Sequence, residues 1–410
     1  MYDLAIIGSG PAGLAAAKAA VKRNLSVVLV EKQETLLGGT CLNRGCIPTK
    51  FLLKIDPLKE WAQLIEEKNL LVNKIRQPLK LYLDKLGITL KLGRASFINS
   101  TTIAVDDQHI SAKNILVATG STPRRPFQEK RVLYAEEMLD SPDIGQSVLI
   151  VGAGYIGLEF ACLLNRLGRK VRVVEKEKSI LSAFDNSLSK RLKGLLLRNG
   201  IDISCDFNVT DKDFIAYDTI IASVSREPNT FELNLESAGV ETKNGWIITD
   251  QYQRSSKENI YACGDVTGVK MLAYTAEYQA EVAVTNIAGQ SKTVDYRGIP
   301  ECVFAIPQLA IVGASEQKLK ELDVHYRVFQ SNFLKFSSSY VYGDTDGFVK
   351  VLVDDDNRIL GAGIISNSAS ELISIFSIAL KCKLTLSDIS KNIFIHPTLS
   401  EIIPLFLKEI

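Results

Sequence analysis

Two stretches of this chain open with a short apolar run that ends in glycine and leads into a helical spacing of small and apolar residues. Leu4-Ala5-Ile6-Ile7 runs into Gly8-Ser9-Gly10-Pro11-Ala12-Gly13, and an alanine-rich helical pattern then leads to Ser26-Val27-Val28-Leu29-Val30-Glu31. The same order returns as Val148-Leu149-Ile150-Val151, then Gly152-Ala153-Gly154-Tyr155-Ile156-Gly157, a helical stretch, and Val171-Arg172-Val173-Val174-Glu175. Apolar runs this short, bounded by glycine, predict strands buried on both faces, and strand–helix–strand order predicts a parallel sheet with helices on both sides. Residues 54–86 are charged and helical, with breaks expected at Pro57 and Pro78. Near the end, Ile299–Phe304 and residues 347–365 predict strands, the second forming a hairpin that turns at Asp354-Asp355-Asp356-Asn357.

The glycines fix what the repeated unit is for. The first of each set makes the tight turn, the second lets backbone approach a pyrophosphate, and the third lets helix pack on strand. The helix start then offers free N–H groups and a positive dipole end to the phosphates. Glu31 and Glu175 each lie 23 residues after the first glycine, where a carboxylate accepts hydrogen bonds from ribose hydroxyls. A carboxylate at 175 suits the free 2′-hydroxyl of NAD and repels the 2′-phosphate of NADP, although Lys176 and Lys178 soften that preference.

At 410 residues the chain is long enough for two to four domains, and 46% hydrophobic with 23% charged residues is ordinary globular composition. A net charge of +1 argues against a nucleic-acid partner. Residues 1–20 and 147–165 are apolar enough to be mistaken for export or membrane segments. The first lacks a basic leader and carries Asp3, and the second holds Glu159 and three glycines. No membrane association is expected, and the cytoplasm is the expected setting. Seven cysteines are too few for a disulfide scaffold there.

Two of the seven stand apart. GGTCLNRGCIPTK, residues 38–50, separates Cys41 from Cys46 by five positions. Along an undistorted helix that is a rise of about 7.5 Å, beyond disulfide reach, so the two sulfurs meet only if the chain bends, and Gly45 eases a bend. Pro48 suits the first turn of the helix that follows. A cysteine near that helix start has its thiolate favoured. Zinc would need two more ligands, which no nearby cysteine pair or histidine supplies. A redox pair and packed inert thiols both remain open. The other five, Cys162, Cys205, Cys263, Cys302 and Cys382, share no spacing and read as reduced packing thiols.

Of three histidines, His109 and His325 lie in polar surroundings, while His396 is followed five residues later by Glu401. A carboxylate on one imidazole nitrogen makes the other a better proton acceptor. Thr398-Leu399-Ser400-Glu401 equally fits a capping box, with Glu401 serving only a helix start.

The Cys41–Cys46 segment resembles the redox-disulfide motif of the class I pyridine nucleotide–disulfide oxidoreductases, and the resemblance runs over nearly the whole chain. Its further marks are residues 114–121 (NILVATGS), 259–266 (NIYACGDV) and 395–401 (IHPTLSE). The resemblance is closest to the dihydrolipoamide dehydrogenase branch. It implies an α/β fold of two Rossmann-like dinucleotide-binding domains, for FAD and NAD, with a C-terminal α+β dimerisation domain. Expected bounds are 1–135 and 255–295 for FAD, 136–254 for NAD and 296–410 for the interface. FAD contacts are implied for Gly8, Gly10, Pro11, Ala12, Gly13, Glu31, Gly39, Thr40, Lys50, Ala95, Thr119, Gly120, Ser121, Gly264, Asp265, Met271, Leu272, Ala273 and Tyr274. NAD contacts are implied for Gly152, Gly154, Tyr155, Ile156, Gly157, Glu159, Glu175 and Ser225.

Within that likeness Cys41 resembles the interchange thiol that meets substrate, and Cys46 the thiolate against the flavin. Lys50 resembles the lysine beside flavin N5, and Glu159 its carboxylate partner. Tyr155 matches a tyrosine that covers the nicotinamide pocket in glutathione reductase. His396, fixed by Glu401, resembles a base that acts across a homodimer interface. The implied substrate is a lipoyl-type dithiol, carried on a protein of a 2-oxo acid dehydrogenase or glycine cleavage complex. The alternatives are an NADPH-dependent reductase of glutathione or another small disulfide, and a low-turnover flavoprotein binding subunit. The chain departs from the pattern in five respects. The segments 46–120 and 175–226 are shorter than usual, Ser225 replaces a glycine, and Tyr274 and Phe394 stand where histidines are common.

Overall fold

A computed structural model describes residues 1–54, 56 and 58–408. They fall into two compact units: Met1–Gln128 with Tyr134–Asp143 and Ser225–Val294, and Glu129–Leu133 with Ile144–Val224 and Asp295–Ile410.

The first unit begins with β1 (Tyr2–Ile7), α1 (Pro11–Val21) and β2 (Val27–Glu31). It continues through α2 (Gly39–Arg44), α3 (Cys46–Lys54), α4 (Trp61–Lys85), β3 (Thr89–Leu92), β4 (Ala95–Asn99), β5 (Thr102–Val105) and β6 (Gln108–Val117). The sheet order is β3-β2-β1-β6-β5-β4. β3, β2, β1 and β6 are parallel, while β4, β5 and the start of β6 form an antiparallel meander. Late in the chain, Ile260–Ala262 pairs in parallel with the end of β6. Every residue of β2 is buried, as a strand covered on both faces requires. Ala12, Ala16, Ala19 and Ala20 on α1 share a core with Ala276, Ala280 and Ala283 of helix Ala273–Ile287. These small side chains let two helices lie close on one face of the sheet.

The expected break at Pro78 does not occur: α4 runs through it from Trp61 to Lys85. Proline removes one helical hydrogen bond and costs about 3 kcal/mol in a helix interior, and tertiary contacts on both sides offset that. Trp61, Leu64, Lys68, Val72 and Leu83 are buried, Trp61 Nε1 donates to Ser141 O, and Arg76 donates to Thr35 O and Asn43 Oδ1. Pro57 lies outside the described residues.

In the second unit, parallel strands are ordered Asp202–Ser204, Lys170–Val174, Ser147–Val151, Thr219–Ala222. An antiparallel sheet follows, ordered Glu301–Val303, Gln308–Gly313, Ile359–Ser366, Phe348–Val353, Arg327–Asn332. The expected hairpin at 354–357 joins two of its strands. Its core face carries Val349, Val351, Ile364 and Phe376, the last from helix Ala369–Lys381. No helix among the described residues is long and apolar enough to cross a membrane.

Candidate active site

The two glycine loops adopt the same construction. Gly8 has φ +103°, and a Cβ there would lie 2.4 Å from Ala118 O; Gly152 has φ +106°, and its Cβ would lie 2.6 Å from Ser223 O. Only glycine fits either turn. A Cβ on Gly13 would sit 1.8 Å from Gly8 O, and one on Gly157 would sit 1.9 Å from Gly152 O, so both third glycines are there for packing. The second glycines differ. Gly10 would meet only Gly39 Cα at 3.9 Å, and Gly154 nothing within 4 Å. Space is thus left above each helix start where a phosphate would approach.

Each acid is tied back to its own loop. Glu31, buried at the end of β2, accepts from Ser9 N at 3.0 Å and Ser9 Oγ at 2.7 Å through Oε2. Glu175 accepts from Ala153 N at 2.6 Å and from Glu177 N at 3.0 Å. The carboxylate therefore holds the second residue of the turn in place as well as facing the site.

Around the first cradle the chain gathers most of the residues expected at FAD. Gly39 abuts Gly10, where a Cβ would fall 2.6 Å from Gly10 Cα, which brings Thr40 and α2 against the loop. Ala95 opens β4 and is buried. Thr119 Oγ1 is buried without a hydrogen-bond partner, and Gly120 follows at φ +73° with open space beside it. Ser121 Oγ donates to Asp265 Oδ2 at 2.7 Å. Gln279 Oε1 accepts the Gly264 N–H at 2.7 Å, holding the turn that presents Asp265. Met271, Leu272, Ala273 and Tyr274 lie at the start of helix Ala273–Ile287, with the Met271 and Tyr274 side chains exposed. A polar cleft of about 480 Å³ lies beyond Glu31, lined among others by Lys32, Arg44, Arg76, Arg94 and Asp140. An orphan hydroxyl, clear space over Gly10 and a cationic cleft all fit a phosphate-bearing dinucleotide.

The cysteines sit beside this cradle. α2 ends at Arg44, Gly45 breaks the helix at φ −139°, ψ −120°, and α3 starts at Cys46. A Cβ on Gly45 would lie 2.9 Å from Thr40 O and 3.2 Å from Cys41 Cα, so the chain doubles back on Cys41 at that point. The side chains of the two cysteines are hydrogen-bonded to each other. That bond and burial push the Cys41 thiol well above the usual range, while the Lys50 charge pulls it the other way. Among the described residues no cluster of side chains suits a metal ion.

In the second unit, Gly154 and Tyr155 open helix Tyr155–Arg166 with Ile156 next in line. Glu159 is buried, and its Oε1 accepts the Phe304 N–H at 3.1 Å. Lys50 belongs to the first unit and Glu159 to the second. Ser225 is exposed and falls in the first unit, where its carbonyl accepts from Arg124 N at 3.0 Å.

His396 Nδ1 lies 2.9 and 3.1 Å from the two carboxylate oxygens of Glu401. The imidazole is 71% exposed and the Glu401 side chain 10%, so a buried acid orients a ring that faces outward. Thr398 makes no capping bond; its hydroxyl goes to Ile395 O at 2.6 Å. The capping box that its sequence fits is not formed.

Residues 2–280 match the family described as pyridine nucleotide-disulphide oxidoreductase, and residues 299–405 match the dimerisation domain of the same family. The chain belongs to this family. It is a flavoprotein disulfide oxidoreductase, and FAD and NAD are the family's cofactors. Dihydrolipoyl dehydrogenase of Chlamydia muridarum (strain MoPn / Nigg) is 33% identical over 443 aligned positions, covering 98% of this chain and 95% of the relative. Mercuric reductase of Staphylococcus aureus is 31% identical, covering 98% of this chain and 81% of the relative. Among solved structures, the HOCl-induced flavoprotein disulfide reductase RclA from Escherichia coli superposes with a TM-score of 0.93 at 28% identity, with 99% of each chain covered.

Several residues that hold the candidate site residues in place were not singled out by sequence. Arg226 donates to Ser121 Oγ at 2.6 Å, Ser121 O at 2.8 Å and Glu136 at 3.0 Å, and Asn229 Nδ2 donates to Thr119 O at 2.9 Å. Both lie within four residues of Ser225. Gln279 and Glu301 carried no local signal at all.

Proposed function

We propose that this chain catalyses electron transfer between a dihydrolipoyl-type dithiol, the Cys41–Cys46 pair, FAD and NAD. The observation that carries this reading is the contact between the Cys41 and Cys46 thiols at the Gly45 turn, beside the first cradle. In the oxidised pair, a substrate thiolate attacks Cys41 Sγ, the Cys41–Cys46 bond breaks, and Cys46 leaves as thiolate. The second substrate thiol then displaces Cys41, so that the substrate departs as a disulfide and both cysteines are reduced. Each substrate thiol must lose a proton to attack, and His396 of the partner subunit, held by its Glu401, takes that proton. Gly8–Gly13, Glu31, Thr40, Thr119–Ser121 and Asp265 would hold FAD, which would supply a two-electron carrier between the cysteine pair and NAD. Gly152–Gly157 and Glu175 would hold NAD, and Tyr155 would cover its pocket in the nucleotide-free protein.

The dimerisation domain supports a homodimer as the working form. A lipoyl group on a carrier protein of a 2-oxo acid dehydrogenase or glycine cleavage complex, in the cytoplasm, is the setting in which this chemistry has a substrate. Lys176 and Lys178, next to Glu175, favour the second reading, an NADPH-dependent reductase of a small disulfide.

Steady-state rates with dihydrolipoamide and NAD, set beside rates with glutathione disulfide and NADPH, decide between them. Dihydrolipoamide added anaerobically to the flavin-loaded protein is expected to produce a long-wavelength absorption that Cys46→Ser removes. No band and no turnover of either pair would overturn the proposal.

A further inference from the structure

Helix Tyr155–Arg166 is fastened to the segment 301–306 by three polar contacts. Tyr155 Oη donates to the Glu301 carboxylate, Phe304 N donates to Glu159 Oε1 at 3.1 Å, and Ile306 N donates to Cys162 Sγ at 3.3 Å. Positions 155, 159 and 162 share one helix face, so the segment runs along that face as a seam. The contacts at Glu159 and Cys162 involve buried side chains and backbone N–H groups, which is what a fixed joint looks like. The contact at Tyr155 is of another kind. It joins two half-buried side chains, and Tyr155 is also the first residue of the helix that the second cradle opens.

The phenol is pinned on its other side too. Its ring meets the edge of Phe184 at 5.4 Å and 73°. Phe184 lies three residues beyond Leu181, whose N–H donates to Ala153 O in the cradle at 3.1 Å. Tyr155 is therefore gripped by its own backbone, by Phe184 and by Glu301, next to a cradle whose Gly154 is left clear.

We propose that Glu301 is a positioning residue for nicotinamide-nucleotide binding: its carboxylate latches the Tyr155 phenol in the closed position, and the nucleotide binds when that latch opens. The proposal rests on the assignment of NAD to the second cradle and of Tyr155 as its cover. Glu301 lies in the part of the chain that matches the dimerisation domain, and Tyr155 in the part that matches the nucleotide-binding region. The latch thus ties one functional region to the other. When only the unlatched fraction is competent, apparent affinity is lowered by that fraction. Hydrogen bonds to charged acceptors are among the stronger ones, so losing the latch is expected to tighten binding roughly tenfold.

The test is calorimetric titration of NAD into the oxidised, flavin-loaded dimer, where no electron transfer accompanies binding. Glu301→Ala and Tyr155→Phe should each tighten Kd by about the same factor, roughly tenfold, and the double variant should gain nothing further. Glu301→Gln, which keeps an oxygen to accept the phenol, should return most of the way to the wild-type Kd. In turnover the gain of Glu301→Ala should appear in KM for NAD. Unchanged or weaker binding in both single variants, or independent and additive effects, would overturn the latch while leaving the cradle assignment intact. Absence of NAD binding to the wild type and every variant would instead remove the cradle assignment, and the latch with it.

Discussion

Glu401, nine-tenths buried, holds Nδ1 of His396 at 2.9 Å while the imidazole stays 71% exposed. The acid fixes the ring's orientation, and the far nitrogen faces outward. General acid–base groups contribute about 10²–10⁴-fold to rate, so His396→Gln should lower dithiol oxidation by that order. Glu401→Gln, which keeps an acceptor, should cost less, about tenfold. Oxidation of NADH by an artificial one-electron acceptor needs no dithiol proton and should survive in both variants. Undiminished dihydrolipoamide turnover in His396→Gln would remove the base from this position.

The cysteines should differ sharply in reactivity. Hydrogen bonding to Cys46 and burial hold the Cys41 thiol well above its usual range, burial pushes Cys162 up to about 12, and burial raises Cys263 as well. In reduced, flavin-free protein at about neutral pH, iodoacetamide should label Cys46 and the exposed Cys382 first, and spare Cys162 and Cys263. Peptide mapping over time reads this directly. The same shift bears on stability. A raised thiol favours the folded state below its unfolded value of about 8.5, and that contribution is lost as pH climbs towards 12. Cys162→Ala should therefore show a shallower alkaline loss of stability.

Two glycines of the second cradle should fail for different reasons. A Cβ on Gly157 would fall 1.9 Å from Gly152 O, whereas one on Gly154 meets nothing within 4 Å. Gly157→Ala is expected to lower the melting temperature. Gly154→Ala should melt like the wild type yet bind NAD at least about tenfold more weakly, because its methyl group occupies the space where backbone and pyrophosphate meet. Equal loss of stability in both would contradict this division of labour.

Lys350, 3% exposed, donates to both oxygens of Asp185 at 2.9 Å and to Glu316. Burial works against both carboxyls. Hydrogen bonds from Ser187 and Lys350 to Asp185, and from Lys350 and Tyr326 to Glu316, nonetheless leave each below its usual value. Lys350→Met strands the buried Asp185 carboxylate beside a half-buried Glu316 and should cost about 3–5 kcal/mol at neutral pH by chemical denaturation. Lowered carboxyls contribute stability above their unfolded value of about 4 and lose it as pH falls. The deficit of the variant should therefore be largest above about pH 5 and shrink in acid. A pH-independent deficit would show that packing, not charge, is what Lys350 provides.

The residues that sequence alone identified are those whose role is set by backbone geometry or local spacing. Gly8, Gly13, Gly152 and Gly157 are legible because no other residue fits those turns, and Glu31 and Glu175 because the acid falls at a fixed distance along each strand–helix–strand unit. His396 and Glu401 are near enough in sequence for their pairing to be considered; spacing alone left a capping box equally open, the family resemblance favoured the pairing, and in the fold Thr398 turns to Ile395 O.

Tertiary structure decided the rest. It carried α4 through Pro78, because burial along the helix outweighs one lost hydrogen bond. It brought Arg226 to Ser121, 105 positions away, Glu301 to Tyr155, 146 away, and Lys350 to Asp185, 165 away. Such partners leave no periodic or local trace, since a long-range hydrogen bond constrains where two side chains meet and not the spacing between them. The local pattern therefore determined the two cradles and the bent cysteine pair, while only packing determined which distant side chains hold them in working position.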